Sequence, residues 1–273
     1  MKKILITGSS GYIGRHLLDV LPDYYTVGLD RVFKPQRADK FIQQNILEGK
    51  YVEGEFDTVV HLAALVKVSD SGKHPMRYYE TNVTGTLKML ENVDYKHFIF
   101  ASTGTAENPV SPYALSKRAT EDMVRQYCKL NGKECTIFRF YNVVGSAGHE
   151  PTNMDGLTYN LINAMQTGEF NLFGDDYDTY DGTALRDYIH VTEVCNAIKR
   201  AIETPSTNEI DNLGTGSGYS VLQMVDFFKE VNKCDFKVNI LPRRPGDEAR
   251  TILRDVSPYM VEQYTIQEKL KVV

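Results

Sequence analysis

A glycine-rich turn lies between the first apolar run of the chain and its first amphipathic segment. The run 3–7 has the composition of a buried strand, and three glycines spaced three residues apart follow it directly. Glycines at this spacing allow a tight strand-to-helix turn and let a pyrophosphate approach the amides at the start of the helix. In this context the motif predicts a dinucleotide-binding loop. The predicted pyrophosphate loop contains Gly8, Gly11, Tyr12, Ile13 and Gly14.

Short β-branched runs alternate with amphipathic stretches through the first half of the chain. Strands are predicted at 3–7, 25–30, 41–46, 57–62, 97–102 and 134–140, and helices at 12–20, 75–93 and 112–131. This alternation predicts an α/β fold, a doubly wound parallel sheet with helices on both faces. Further on we expect helices at 157–167 and 192–203, a strand at 187–191, and a helix capped by Ser220. The predicted nucleotide-binding domain is 1–142 plus 187–213, and a small discontinuous C-terminal substrate lobe is 143–186 plus 214–273.

Composition narrows the classes of partner. The chain has 273 residues, 25% of them charged, and a net charge of −5, which argues against nucleic acid and anionic membrane surfaces as partners. No apolar stretch reaches the ~20 residues of a membrane span, and we expect no signal peptide. Four cysteines without Cys-x-x-Cys spacing predict no metal site and no disulfide framework. We expect reduced thiols and a cytoplasmic location.

Asp30 ends the second predicted strand, about twenty residues after the glycine loop. A carboxylate at this place accepts hydrogen bonds from the adenine ribose hydroxyls and repels a 2′-phosphate. We therefore predict NAD rather than NADP as the cofactor. Two alternatives stay open: Asp30 could only cap a turn, and the nearby Arg31, Lys34 and Arg37 favour a phosphate.

The segment 111–117 carries the predicted chemistry. Pro112 suits the first position of a helix, so Tyr113 and Lys117 lie one turn apart on one face. A phenol with a pKa near 10 is a poor base, but an ammonium and the positive nicotinamide ring each lower it by about 1–3 units. Thr103, at the end of the predicted strand 97–102, adds a hydroxyl for a substrate oxygen. The alternative for Tyr113 and Lys117 is a surface pair on an amphipathic helix.

The order of glycine loop, strand-end hydroxyl, Tyr and Lys resembles that of the extended short-chain dehydrogenase/reductase family, the NAD-dependent epimerases and dehydratases, over nearly the whole chain. Longer strings resemble the UDP-glucose 4-epimerase branch, at 172–177, 181–183, 186–191 and 242–247. The resemblance implies a Rossmann domain, a bound NAD and a nucleotide-sugar substrate. It also implies a homodimer built through the helices 75–93 and 112–131.

The resemblance implies a role for each matching residue. The catalytic residues are Thr103, Tyr113 and Lys117. The cofactor contacts beyond the glycine loop are Asp30, Asn45, Ile46, Ala63, Ala64, Asn82, Tyr113 and Lys117. The substrate contacts are Thr103, Asn142, Arg186, Arg244 and Asp247. Two alternatives stay open, because Asn82 could instead hold a helix in place and Arg186 could form a salt bridge with Asp187.

The implied activity is NAD-dependent interconversion of the 4-epimers of an NDP-hexose of the UDP-glucose/UDP-galactose type, through a 4-keto sugar. A 4-keto-sugar reductase is the main alternative, because it uses the same three residues. A sugar-nucleotide dehydratase, a decarboxylase and a non-catalytic NAD-sensing protein are weaker alternatives. The chain departs from the family in two places: only nine residues separate Thr103 from Tyr113, and the C-terminal segment is short.

Overall fold

A computed structural model of the chain describes residues 1–49, 54–146, 148–149, 151, 153–205, 210–244 and 247–272. The chain forms two compact units, one of Met1–Arg139 with Cys195–Asp211 and one of Phe140–Val194 with Asn212–Val273. No helix in the described ranges combines the length and the apolar character that crossing a membrane requires.

The strands, in chain order, are β1 (Lys3–Thr7), β2 (Tyr25–Asp30), β3 (Lys40–Gln43), β4 (Phe56–His61), β5 (Tyr95–Thr103), β6 (Glu134–Phe140), β7 (Asn142–Val144), β8 (Glu169–Phe173), β9 (Leu185–His190), β10 (Ile210–Leu213), β11 (Gly218–Ser220), β12 (Lys237–Leu241) and β13 (Arg250–Thr251). The α-helices are α1 (Tyr12–Asp19), α2 (Val68–Ser71), α3 (Pro75–Tyr78), α4 (Gly85–Asn92), α5 (Pro112–Leu130), α6 (Leu157–Thr167), α7 (Val191–Glu203) and α8 (Val221–Asn232). A π-helical segment, Tyr79–Thr84, joins α3 to α4, and 3₁₀ turns cover Gly104–Ala106 and Glu268–Leu270.

The central sheet has seven strands in the order β10-β6-β5-β4-β1-β2-β3. β1 pairs in parallel with β2 and β4, and the pairs β2–β3 and β4–β5 are also parallel. Ile4, Leu5 and Ile6 are all fully buried, as expected for a parallel strand covered by helices on both faces. The predicted doubly wound parallel sheet is confirmed, and the carboxyl ends of its strands lie at one edge, where such folds bind ligands.

Two predicted elements of the first unit differ from the structure. The predicted helix 75–93 is interrupted by the π-helical segment Tyr79–Thr84. The predicted strand 41–46 ends at Gln43, because Asn45 begins a turn: its side-chain oxygen accepts a hydrogen bond from the amide of Leu47 at 3.0 Å, and its own amide donates to Glu48.

In the second unit β9 is the central strand. It pairs with β7, β11 and β13, and a separate parallel pair joins β8 to β12. The predicted first domain included 187–213, whereas only Cys195–Asp211 of that range belongs to the first unit of the structure. β9 lies in the second unit together with its three partner strands. The predicted cap of α8 is confirmed: Ser220 accepts a hydrogen bond from the amide of Gln223, whose side chain returns one to the Ser220 amide.

Candidate functional site

The glycine loop follows β1 and begins α1. Gly8 has a φ of +71°, and a Cβ atom on it would lie 2.8 Å from the amide nitrogen of Ala63. A Cβ atom on Gly14 would lie 2.4 Å from the carbonyl oxygen of Gly8. Neither position tolerates a side chain. Gly11 is the N-cap of α1 and contributes no side chain there, an arrangement that suits an anion at the helix N-terminus.

Ala63 lies directly beside this loop. Its amide donates a hydrogen bond to the Thr7 hydroxyl at 3.2 Å, which brings the segment after β4 against the end of β1. Ala63 and Ala64 are both half-buried. The structure therefore brings these two alanines and the glycine loop together at the carboxyl edge of the sheet.

Asp30 ends β2, and both oxygens of its carboxylate accept hydrogen bonds from backbone amides. One oxygen accepts a hydrogen bond from the amide of Ser10 at 3.1 Å and the other accepts one from the amide of Val32 at 3.2 Å. Asp30 therefore does cap a turn, and it also holds the glycine loop. A carboxylate has about four lone-pair sites, so the two amides leave acceptor capacity for ribose hydroxyls.

The basic segment after Asp30 is fastened to the glycine loop. The Ser10 hydroxyl accepts hydrogen bonds from the Lys34 amide at 3.2 Å and from the Gln36 side chain at 3.1 Å. Arg37 forms an ion pair with Asp19 at 3.4 Å. The charge of Arg37 is thus partly neutralised, which weakens the argument that it would hold a 2′-phosphate.

Asn45 and Ile46 lie after β3. Ile46 is 5% exposed and belongs to the hydrophobic core of the first unit, where its side chain is so close to Gly85 that a Cβ atom there would lie 2.7 Å from it. The side chain of Asn45 caps the turn after β3. These contacts explain the local structure, and the adenine contact of both residues stays a prediction.

Asn82 lies in the π-helical segment and is 1% exposed. Its side-chain oxygen accepts a hydrogen bond from the Leu65 amide at 2.8 Å, and its nitrogen donates to the Leu65 carbonyl and to the Ser116 hydroxyl, both at 3.0 Å. Asn82 therefore ties the segment after β4 to α5. Asn82 therefore has the structural role that the sequence left open, that of holding a helix in place. The helix is α5, which bears Tyr113 and Lys117.

α5 presents Tyr113 and Lys117 to the end of β5. Ser111 caps the helix by accepting a hydrogen bond from the Ala114 amide at 3.1 Å, and Pro112 occupies the first turn. Lys117 is 3% exposed, and its ammonium nitrogen lies 4.1 Å from the centre of the Phe100 ring. The alternative of an exposed surface pair is therefore wrong.

Thr103, Tyr113 and Lys117 are brought together in this way. Burial raises the pKa of Tyr113 to about 12, and the neighbouring Thr103 side chain acts in the opposite direction. Burial also lowers the pKa of Lys117 to about 7, against the opposing effect of Glu121. Desolvation dominates the pKa of both groups in the protein alone, and the lowering of the Tyr113 pKa by Lys117 together with bound NAD stays a prediction.

Sequence reasoning missed a buried ion pair behind these residues. Glu121, one turn after Lys117, is fully buried and accepts hydrogen bonds from Arg139 at 2.8 and 2.6 Å and from the Ser102 hydroxyl at 2.5 Å. The only sequence signal is the spacing of Tyr113, Lys117 and Glu121 at i, i+4 and i+8. The ion pair fixes α5 to the strands that end beside Thr103.

The second unit gathers several charged residues around Tyr177. Arg186, Arg244 and Asp247 all affect the pKa of Tyr177, which burial raises. Arg244 stacks on the ring of Phe173 at 4.3 Å and pairs with Asp247 at 3.5 Å. The structure thus brings together three of the predicted substrate contacts. Arg243, which the prediction did not include, lies against the Tyr177 ring at 4.1 Å.

Asn142 and Arg186 lie on neighbouring strands. Asn142, on β7, donates a hydrogen bond to the Asp187 carbonyl at 3.1 Å. Arg186, on β9, donates to the Leu185 carbonyl at 2.9 Å. Within the described ranges Arg186 has no salt bridge to Asp187, which excludes that alternative for this structure.

The Asp187 carboxylate has a different role, which the sequence did not reveal. It is fully buried and accepts hydrogen bonds from the amides of Thr215 at 2.8 Å, Gly216 at 2.8 Å and Leu253 at 3.3 Å. The Thr215 hydroxyl adds a further bond at 2.9 Å. Asp187 therefore organises the glycine-rich segment 214–218.

Comparison with known proteins places this geometry in a family. A probable UDP-arabinose 4-epimerase from Arabidopsis thaliana is 32% identical, over 98% of this chain and 79% of the relative. A UDP-glucose 4-epimerase from Erwinia amylovora is 34% identical, over 90% of this chain and 88% of the relative. The crystal structure of UDP-glucose 4-epimerase from Bifidobacterium longum, in complex with NAD⁺ and UDP, superposes with a TM-score of 0.85 at 26% identity and covers 98% of this chain and 96% of its own.

Residues 4–214 match the NAD dependent epimerase/dehydratase family. The matched range contains the glycine loop, Asp30 and the group formed by Thr103, Tyr113 and Lys117. The chain therefore belongs to the NAD-dependent epimerase/dehydratase family.

Proposed function

We propose that this chain is an NAD-dependent sugar-nucleotide 4-epimerase that interconverts the 4-epimers of a UDP-sugar of the UDP-glucose/UDP-galactose type. The observation that carries the proposal is the group formed by the buried Thr103 and Lys117 and the half-buried Tyr113, with no carboxylate in the turn after Thr103. The relatives that match nearly the whole chain are named as UDP-glucose or UDP-arabinose 4-epimerases, which supports the same activity.

The residues of the first unit fit NAD. The glycine loop leaves no room for side chains where the pyrophosphate would approach. The proposed cofactor contacts are Gly8, Gly11, Tyr12, Ile13, Gly14, Asp30, Asn45, Ile46, Ala63, Ala64, Asn82, Tyr113 and Lys117. When bound, NAD supplies a hydride acceptor and donor for the sugar C4 and a positive charge near the phenol.

Tyr113, with the help of Thr103 and Lys117, carries out the proton transfer. Tyr113, as the phenolate, takes the proton of the sugar 4-hydroxyl and returns it when the 4-keto sugar is reduced. Thr103 donates its hydroxyl proton in a hydrogen bond that holds the reacting oxygen. Lys117 stabilises the phenolate through its charge, and Asn82 and the Glu121–Arg139 pair hold α5 in place.

The second unit supplies the anchor for the nucleotide. Arg186 and Arg244 suit bidentate contacts to the phosphates, and Asp247 and Asn142 supply polar contacts to the ribose and the sugar. We propose that the first unit is the NAD-binding domain and that the second is the sugar-nucleotide lobe. An anchored diphosphate lets the 4-keto sugar turn over without leaving the protein, so that hydride returns to either face of C4.

The turn after Thr103 disfavours elimination chemistry. Gly104, Thr105 and Ala106 carry no group that exchanges a proton readily near neutral pH, and the nearest carboxylate is that of the exposed Glu107. A 4,6-dehydratase needs an additional acid and base to remove the C5 proton and expel the 6-hydroxyl. Return of the hydride to C4 is therefore the reaction that remains for the 4-keto sugar.

The test is to purify the protein, identify any retained cofactor by mass, and incubate it with UDP-glucose, UDP-galactose and UDP-arabinose without added reductant. We expect the 4-epimer of at least one of them, detected by NMR. A C6 methyl signal would overturn the epimerase assignment in favour of a dehydratase. In a parallel incubation with added NADH and a 4-keto sugar nucleotide, stoichiometric consumption of NADH would identify a 4-keto-sugar reductase. The absence of turnover in both incubations would favour a non-catalytic NAD-binding protein.

We also propose a homodimer and a cytoplasmic location. Large apolar side chains are exposed along the helices that the resemblance assigns to the dimer: Met76 at 74%, Leu115 at 43% and Met123 at 39%. Burial of such residues against a second copy would supply apolar contact area. The four cysteines are free thiols, in keeping with a reducing compartment. Light scattering at several protein concentrations tests the dimer.

A further inference from the structure

A buried histidine of the first unit has no part in the proposed proton transfer. His61 ends β4 at the carboxyl edge of the sheet and is 1% exposed. It pairs directly with Thr7 of β1 on one side and with Phe100 of β5 on the other. Its ring stacks against the Phe100 ring, with the ring centres 6.1 Å apart and the planes at 16°. Strand pairing and packing therefore hold the imidazole in one place.

Both ring nitrogens of His61 are hydrogen-bonded to buried hydroxyls. Nδ1 lies 2.8 Å from the Thr7 hydroxyl and Nε2 lies 3.0 Å from the Thr86 hydroxyl, and both threonines are at most 1% exposed. The Thr7 oxygen also accepts a hydrogen bond from the Ala63 amide at 3.2 Å, and the Thr86 hydroxyl donates to the Asn82 carbonyl at 2.6 Å. The result is a continuous chain of hydrogen bonds from the Ala63 amide to the Asn82 carbonyl.

The number of protons fixes the direction of every bond in this chain. A carbonyl only accepts, so the single hydroxyl proton of Thr86 is used on Asn82, and the Thr86 oxygen must accept from Nε2–H of His61. Burial lowers the pKa of His61 to about 3, so the ring is neutral near pH 7 and its Nδ1 is a bare acceptor. Thr7 therefore donates to Nδ1 and keeps its oxygen for the amide at the start of the chain. Successive bonds that all run one way strengthen one another.

The two ends of the chain lie at parts of the first unit that we assign to the cofactor. The Ala63 amide nitrogen is 2.8 Å from the place that a Cβ atom on Gly8 would occupy. The Asn82 side chain is hydrogen-bonded to the backbone of Leu65 and to Ser116 of α5. The chain thus connects the segment beside the glycine loop with the segment that holds the catalytic helix.

We propose that His61 is a positioning residue for NAD: its two ring nitrogens hold Ala63 and Asn82 at the spacing that the bound cofactor requires. This proposal rests on the proposed function, in particular on the assignment of Ala63 and Asn82 as cofactor contacts. A side chain that reached only one of the two threonines would leave the other hydroxyl buried without its partner, which is costly, and would release one end of the chain.

The same contacts argue against a catalytic role for His61. Its stacking partner Phe100 also contacts Lys117, whose ammonium nitrogen lies 4.1 Å from the centre of the Phe100 ring. The two ring nitrogens of His61 are nevertheless both occupied by hydroxyls, so the imidazole has neither a proton nor a lone pair left for Lys117 or for a substrate. His61 therefore acts through the residues at the ends of its chain.

The experiment measures NAD affinity by titration of the cofactor-free protein. His61→Phe keeps an aromatic ring but removes both hydrogen bonds, and we expect it to weaken NAD binding about 10- to 100-fold. His61→Asn places an amide near the Nδ1 position and His61→Gln places one near the Nε2 position, so each should recover part of the loss. The control is His97→Phe, because His97 is also buried, at 2% exposure on β5, and is hydrogen-bonded to Thr136 at 2.9 Å outside the chain.

Both phenylalanine variants should lower the melting temperature, but His97→Phe should bind NAD within about twofold of the wild-type protein, a difference well below one hydrogen bond. Wild-type NAD affinity in His61→Phe, or an equal loss in His97→Phe, would overturn the proposal. If the wild-type protein binds NAD but has no epimerase activity, the proposed function fails, and the NAD affinities of the variants still decide the role of His61.

A second readout needs no variant that folds poorly. Nitrogen-15 NMR of the histidine rings in the wild-type protein distinguishes the two neutral tautomers, and the His61 signals are assigned by their loss in His61→Gln or His61→Asn. We expect His61 to carry its proton on Nε2 and to remain neutral from about pH 6 to 8, where an ordinary histidine titrates. A proton on Nδ1, or titration of His61 in this range, would break the chain and reject the proposal.

Discussion

The ammonium nitrogen of Lys117 lies 4.1 Å from the centre of the Phe100 ring, in a position that is 3% exposed. The ring face attracts the cation, yet burial still lowers the pKa of Lys117 to about 7. A lysine that loses so much hydration destabilises the folded chain when it is charged. The position is therefore better suited to chemistry than to stability.

We expect Lys117→Met to raise the melting temperature of the cofactor-free protein by on the order of 5 °C at pH 7 and below, and to abolish turnover. The folded pKa lies below the ordinary value of 10.5, so the unfolded chain binds more protons between pH 7 and 10.5. Stability therefore rises with pH across this window, and the gain from Lys117→Met shrinks toward its upper end. Thermal unfolding measured against pH checks this. Lys129→Met, exposed on the same helix, is the control, and a lower melting temperature in Lys117→Met at every pH would contradict the prediction.

Tyr113→Phe should reduce turnover by at least about 10²-fold, the usual contribution of a positioned proton donor or acceptor. Binding of NAD should change little, because the phenol acts on the sugar hydroxyl. Steady-state kinetics and NAD titration measure the two effects. Tyr127→Phe, on the same helix, serves as the control. A variant at position 113 that kept most of the wild-type rate would remove Tyr113 from the mechanism.

NAD should bind more tightly than NADP, since Asp30 would face a 2′-phosphate of the same charge. Asp30→Asn should narrow the difference and also weaken NAD binding, because the Asp30 carboxylate holds the amides of Ser10 and Val32. Titration of both cofactors measures the preference. Asp39→Asn removes a similar contact between a carboxylate and an amide, that of Thr26 in β2, and should leave the preference unchanged. Equal affinities in the wild-type protein would mean that Arg31 and Lys34 outweigh the carboxylate.

Arg186→Ala and Arg244→Ala should each raise the Michaelis constant for the UDP-sugar, by about 1.5–3 kcal/mol of lost charge-assisted hydrogen bonding. That energy corresponds to about 10- to 150-fold. Arg243→Ala is the matched control, because this neighbouring side chain is paired with Asp176 at 2.6 Å on the surface and its loss should cost less than about 1 kcal/mol. Unchanged constants in both variants would show that the nucleotide is held elsewhere.

The features that follow from local pattern were predictable from the sequence. The parallel strands of the first unit follow from runs of apolar residues, and the turn at Gly8 follows from glycine spacing. The pair Tyr113 and Lys117 follows from helical periodicity, since residues four apart share a face. Each of these depends on neighbours within a few residues.

The features that the sequence did not reveal depend on contacts between distant segments. The π-helical segment forms where Asn82 reaches both Leu65 and Ser116. The Glu121–Arg139 pair joins a helix to a strand, and the low pKa of Lys117 arises from burial that only the folded chain creates. Most of β9 was assigned to the first domain, because strand–helix alternation does not show which strands will pair. No short window of sequence contains that information.

The buried carboxylate of Asp187 has a consequence for synthesis on the ribosome. Its partners Thr215, Gly216 and Leu253 lie 28 to 66 residues further along the chain. Until the segment around Leu253 has emerged, this carboxylate lacks one of the donors that its burial demands, and water must take that donor's place. The second unit therefore cannot complete its interior before Leu253 is available, whereas six of the seven strands of the first sheet have been synthesised by residue 140. We expect the nascent chain to order these six strands first, and β10 and the second unit afterwards.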